Sequence, residues 1–130
     1  MTYEQFVADF VARAQAALAA MQTTLAAAGV TNLTIEEVDA TNLRYRLTAR
    51  RANRTLIVYF ELTPVSIVDG EMALVLTLYC EGNGSEITHT YTVGAPLRYL
   101  SDIDALLAKL TQAEQTMGEV TVKARAFLQV

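Results

Sequence analysis

The stretch 43–62, LRYRLTARRANRTLIVYFEL, decides the fold. Apolar and polar residues alternate on both sides of Ala52-Asn53, the period of two that belongs to strands half buried in a sheet. If Ala52 and Asn53 form a two-residue turn, Ala49 faces Leu56, Leu47 faces Val58, Tyr45 faces Phe60 and Leu43 faces Leu62. The opposite side then carries Arg44, Arg46, Thr48 and Arg50 against Glu61, Tyr59, Ile57 and Thr55. A slip of one residue exchanges the two faces, so this sorting specifies the register.

The same period extends outward on both sides. Runs at 33–38, 43–51, 54–62, 71–81 and 86–93 are rich in Val, Ile, Leu, Tyr and Thr and are bounded by turn residues. Five consecutive strands with short links predict an antiparallel meander. Asn83-Gly84 is the strongest hairpin signal, because a type I′ turn needs φ > 0 at both positions. It sets Cys80 against Ile87, Leu78 against His89, Leu76 against Tyr91 and Leu74 against Val93 on the apolar side. Val75, Thr77 and Tyr79 meet Thr92, Thr90 and Thr88 on the other side, and Glu81 opposes Glu86, a like-charge pair. Asp69-Gly70 marks a third hairpin. The apolar parity flips between Leu62 and Val65, which predicts a bulge near Thr63-Pro64.

Helical periods flank the sheet. Over the first 29 residues Phe6, Val7, Phe10, Val11, Leu18, Met21 and Leu25 recur at threes and fours. Thr2 and Gln5 have capping-box spacing, and Gly29 is placed to end the helix. A second helix is predicted from an N-cap at Ser101, with Asp102 and Asp104 in its first turn and Ile103, Leu106, Leu107, Leu110 and Met117 as its stripe. Residues 119–130 read two ways. Gly118 and the Val-Thr-Val run suit a sixth strand, whereas unbroken periodicity continues one long helix, the reading preferred here. The expectation is a single α+β domain over residues 1–130, order α-β-β-β-β-β-α.

Composition narrows the chemistry. The chain has 130 residues, 52% of them apolar and 18% charged, enough for one core without disulfide or metal. One cysteine forbids an intramolecular disulfide, and one histidine leaves the usual zinc sets unfilled. No cofactor or metal is expected. The net charge of −4 argues against nonspecific nucleic-acid binding. Residues 1–5 carry no basic residue, and mean hydropathy of +0.25 comes without a run of about 20 apolar residues, so a cytoplasmic protein is expected.

Few side chains suggest a site. His89 with Cys80 is a conceivable base and nucleophile, but both fall on the apolar face with no third orienting group, so a core pair explains them more simply. Gly82-Asn83-Gly84-Ser85 joins strands and precedes no helix, which makes it a turn rather than a phosphate loop. Asp102 with Asp104, and Glu36 and Glu37 with Asp39, read as caps and turns rather than cation sites. Basic residues are unevenly placed: Arg44, Arg46, Arg50, Arg51 and Arg54 are half of the ten, and they sit in one hairpin. With Tyr59 and Tyr79 they define a candidate binding face for an acidic protein, a nucleotide or a short single strand. The plainer alternative pairs Arg44 with Glu61 and lays Arg46 over Tyr59.

Ile57, Tyr59, Val75 and Tyr79 among threonines make a sheet face too apolar for free solvent and too polar for a deep core. Either one helix covers each face, or both helices share one face and a second subunit covers the other. A homodimer is expected. In size, acidity and helix, sheet, helix layout the chain resembles small acidic bacterial secretion chaperones. That resemblance implies a dimer that binds partner proteins; the chain departs from it at 63–70, too short for their helix between strands.

The leading reading is therefore a noncatalytic binding or adaptor protein, a homodimer that holds another protein or an anionic ligand through the Arg/Tyr face. One alternative is a ligand-binding or enzymatic domain with a pocket lined by Tyr45, Phe60, His89 and Tyr91. Another is nucleotide or nucleic-acid binding by the arginine hairpin. Sequence alone names no partner, and no membrane association is expected.

Overall fold

In the computed structural model, which describes residues 1–39, 43–82 and 84–130, a long helix is followed by a meander and a second long helix. Helix α1 spans Tyr3–Ala27, with the Thr2/Gln5 capping box formed and Gly29 following the C-cap at φ +102°. Strands β1 (Asn32–Asp39), β2 (Arg44–Arg51), β3 (Arg54–Ser66), β4 (Glu71–Gly82) and β5 (Ser85–Thr92) pair in chain order, each antiparallel to the last. A two-residue strand β6, Leu97–Arg98, adds to the far end of β4 and was invisible to a period-two search.

The register follows the alternation read from the sequence. Leu47 pairs Val58, Leu56 pairs Cys80, and Leu78 pairs His89. The bulge lies one step later than expected: the register shifts between Pro64 and Ser66, so Val65 is the extra residue. Gly82 pairs Ser85 across the β4–β5 turn, and Gly84 has φ +77°; Asn83, the other half of the predicted turn, lies outside the described residues.

Helix α2 runs without a break over Ile103–Leu128. Residues 119–130 are therefore not a sixth strand; Val120, Ala124 and Leu128 are buried on the stripe that Leu106, Leu110, Ala113 and Met117 begin. Burial of a continuous face outweighs the strand propensity of Val-Thr-Val, which amounts to under ~1 kcal/mol per residue. The N-cap is Asp102 rather than Ser101, and its carboxylate accepts from the Arg98 N–H at 3.1 Å instead of capping the helix.

Both helices pack on the same face of the sheet, α1 against β1 to β3 and α2 against β3, β4 and β6. Five antiparallel strands return the chain to the end where α1 began, so α2 runs parallel to α1. Arg13 of α1 donates to Glu114 and, at 3.0 Å, to Thr111 of α2. Between the layers, Phe6, Phe10 and Leu18 of α1 and Leu106 and Leu110 of α2 meet Leu47, Val58, Phe60, Leu74, Leu76 and Leu78, all within 1% of complete burial. Among the described residues no helix is long and apolar enough to cross a membrane.

Candidate functional site

Because the helices share one side, the other face of the sheet carries no element among the described residues. Its rows can be read directly from the register. Glu36, Arg46, Tyr59, Thr77 and Thr90 form one row across β1 to β5, and Thr34, Thr48, Ile57, Tyr79 and Thr88 form the next. Asn32, Arg50, Thr55, Glu81 and Glu86 bound them toward the β2–β3 turn; Arg44, Glu61, Val75 and Thr92 bound them on the other side. Residues on β2, β3 and β4 are half-buried by their neighbours, apart from exposed Arg50 and Glu81, and those on β1 and β5 are exposed.

The five arginines divide by parity into two groups with different work. Arg44 and Arg46 lie on the open face and are engaged there. Arg44 Nε is 3.4 Å from a Glu61 carboxylate oxygen, and its guanidinium stacks 4.0 Å from the Tyr59 ring centroid. Arg46 donates to Glu36 at 3.0 Å, so it is Arg44, not Arg46, that stacks on Tyr59. The hydrogen bond to Glu36, then that to Tyr59, raises the Arg46 pKa. Arg50 is exposed on the same face and, among the described residues, makes no hydrogen bond or ion pair.

Arg51 and Arg54 sit on the helix side, opposite one another at the end of the hairpin. They reach the end of α2. Arg51 Nη1 donates to the Leu128 carbonyl at 2.8 Å, and Arg54 Nη1 donates to the Phe127 carbonyl at 2.9 Å with its guanidinium 5.2 Å from the Phe127 ring. Two cations thus satisfy carbonyls that a helix C-terminus leaves free and oppose its partial negative charge. Spacing in the sequence held no sign of this, because the two partners are 77 and 73 residues away.

Tyr79 stands at the acidic side of the open face. Its hydroxyl is 3.4 Å from Glu81 Oε2, and a hydrogen bond to Glu86, partial burial and the two negative charges push its pKa up to about 12. Glu81 and Glu86 face each other across β4 and β5 as expected, and no described cation pairs with either.

The alternative pocket residues are placed differently. Tyr45 and Phe60 are neighbours in one row under α1, with ring centroids 6.4 and 5.7 Å from that of Phe10, and are 3% and 0% exposed. Tyr91 continues that row past Leu76, and Lys123 of α2 lies 5.2 Å from its ring. His89 is one row further on, half-buried. Cys80 is buried beside it on the same face, and burial pushes its thiol pKa up, away from the nucleophilic thiolate. An open groove of ≈ 410 Å³ does exist between the helices, over Ala17, Ala20, Met117 and Gly118, but on their outer side and away from these four residues.

Sequence reasoning passed over two further features. Lys109 is 9% exposed on the buried stripe of α2, with no partner for its amine among the described residues; desolvation lowers its pKa. Its place three residues after Leu106 was the available signal. Ile67 and Val68 in the β3–β4 turn are 91% and 95% exposed, near Leu100 at 71%. No protein-family model, curated protein or solved structure matches the chain.

Proposed function

We propose that this chain is a noncatalytic binding protein of adaptor type that acts by holding another protein surface against the helix-free face of its sheet. The observation that carries the reading is the placement of both helices on one side, which leaves Ile57, Tyr59, Val75 and Tyr79 half-buried with no described element above them. Aromatic and aliphatic groups at the centre with charge around them is the composition of an interface. Burial raises the pKa of Cys80, which disfavours the nucleophilic thiolate.

A protein surface suits this face better than an anion or nucleic acid. Of the five hairpin arginines, two are held by carboxylates and two by the end of α2, so Arg50 alone is at the disposal of a phosphate. Nucleic-acid binding draws on several neutralised phosphates at once. The test is capture of binding proteins by the wild-type chain and by an Arg44/Arg46/Arg50 triple alanine variant with unchanged circular dichroism. Loss of the captured proteins with the variant supports the reading. Equal capture by both shows that the captured proteins are held elsewhere and overturns this face as their docking site.

A further inference from the structure

We infer that the occupant of the open sheet face is a second copy of this chain, related by a two-fold axis that runs parallel to the strands above β3, with Arg50 of each copy paired to Glu81 of the other. This rests on the reading of the face as a binding surface and names what binds there.

The argument begins from unbalanced charge. Once Arg44 is matched with Glu61 and Arg46 with Glu36, three charges on the face have no counter-ion among the described residues: Arg50 on β2, Glu81 on β4 and Glu86 on β5. All three belong to one row, Asn32, Arg50, Thr55, Glu81 and Glu86, with the cation on one side of β3 and the carboxylates on the other. The two carboxylates repel each other across the ladder. Their crowding also holds the Tyr79 hydroxyl protonated to about 12.

A two-fold axis parallel to the strands above β3 keeps each row and reverses the order of the strands. It lays β2 of one copy over β4 of the other, and β1 over β5. Arg50 then meets Glu81, so the cation of each copy gains a counter-ion in the other, while Glu86 meets the neutral amide of Asn32. In the rows behind it, Ile57 meets Ile57 and Tyr59 meets Tyr59 on the axis, which closes the apolar centre on itself. Glu61 also meets its own copy, each already held by Arg44. An axis perpendicular to the strands does the opposite: it inverts the rows, brings Arg50 toward Arg44 and leaves Glu81 over Val75. The axis parallel to the strands lays Arg44 over Val75 but gives Arg50 a counter-ion, and that charge complementarity favours it over the perpendicular axis.

The area is sufficient. Five strands at ~4.8 Å spacing and about eight residues at ~3.3 Å give a flat footprint of roughly 600 Å², which side-chain relief raises toward the ~800 Å² per partner of a stable interface.

Charge exchange tests the proposal. Sedimentation of the wild type is expected to give twice the 14.2 kDa chain mass. Arg50→Glu and Glu81→Arg singly are expected to weaken the dimer by about tenfold or more, and the double variant to recover most of that loss, the signature of direct pairing. Ile57→Lys, with circular dichroism and melting as folding controls, is expected to give monomer. A wild type that stays monomeric at about 100 μM overturns the second copy while leaving the face to another protein. A dimer broken by Ile57→Lys but indifferent to both charge reversals overturns the two-fold arrangement and keeps the binding face. A dimer indifferent to all of these overturns both.

Discussion

Lys109 shows at the scale of one residue how a stripe position can be occupied by a charge. Its amine has no partner among the described residues, and its Cε occupies the space where a β-carbon on residue 94 would stand, 2.8 Å away; only Gly94, at φ +72°, lets the loop lie this close. Burial lowers the amine's pKa from 10.5, so the unfolded chain holds the proton more tightly. Stability is therefore expected to rise as pH climbs from that lowered value through 10.5, above which the amine is neutral in both states. Lys109→Met removes the buried amine and retains its stem; it should stabilise the protein at neutral pH by on the order of 1 kcal/mol and flatten this alkaline rise. Denaturant titrations of both proteins between pH 7 and 10.5 measure it, and parallel curves would refute the assignment.

Parity made most of the open face legible residue by residue. Arg44, Arg46, Arg50, Tyr59 and Tyr79 were placed on one side by counting alone, and each is found there. What counting could not supply is reach. Arg51 and Arg54 belong to the same cluster in the sequence, yet their long side chains go to carbonyls on an element that lies more than seventy residues on. Likewise, which of two adjacent arginines stacks on Tyr59 depends on rotamers rather than order.

At the scale of elements, α2 combines a weak point with a reinforcement. Gly118 lies mid-helix with nothing within 4 Å of where a β-carbon would be, so Gly118→Ala adds helix propensity without a clash. It is expected to raise stability by about 1 kcal/mol, read as a higher denaturation midpoint with unchanged slope. The reinforcement is the pair of arginine bonds at the other end. Arg51→Ala with Arg54→Ala should cost about 1–2 kcal/mol and speed amide exchange over 124–128 while leaving 106–113 protected. Uniform acceleration would show that the bonds hold the whole fold rather than the last turn.

Local signals over 119–130 conflict, because Gly118 and the Val-Thr-Val run favour a strand while the stripe favours the helix, the reading that holds. Tertiary burial decides it: Val120, Ala124 and Leu128 are each fully buried against the sheet and α1. Strand β6 escaped for the converse reason. Two residues carry no measurable period.

For the whole molecule, the sequence specified a meander between two helices but left open which faces the helices take. Amphipathic stripes say that each helix has a partner, not which side of a sheet that partner occupies. The chirality and length of the connections do, and here they bring both helices to one side. That single outcome leaves the Ile57 and Tyr59 face with no described helix over it.

The arrangement of α2 has a consequence in time as well as space. All five main strands precede it in the chain, so until α2 docks, Leu74, Leu76 and Leu78 lack the helix that covers them and both faces of the sheet lie open in part. The Arg51 and Arg54 contacts, made with the last turn of α2, cannot form until that helix is nearly whole, so they lock the apolar layer only once α2 is in place.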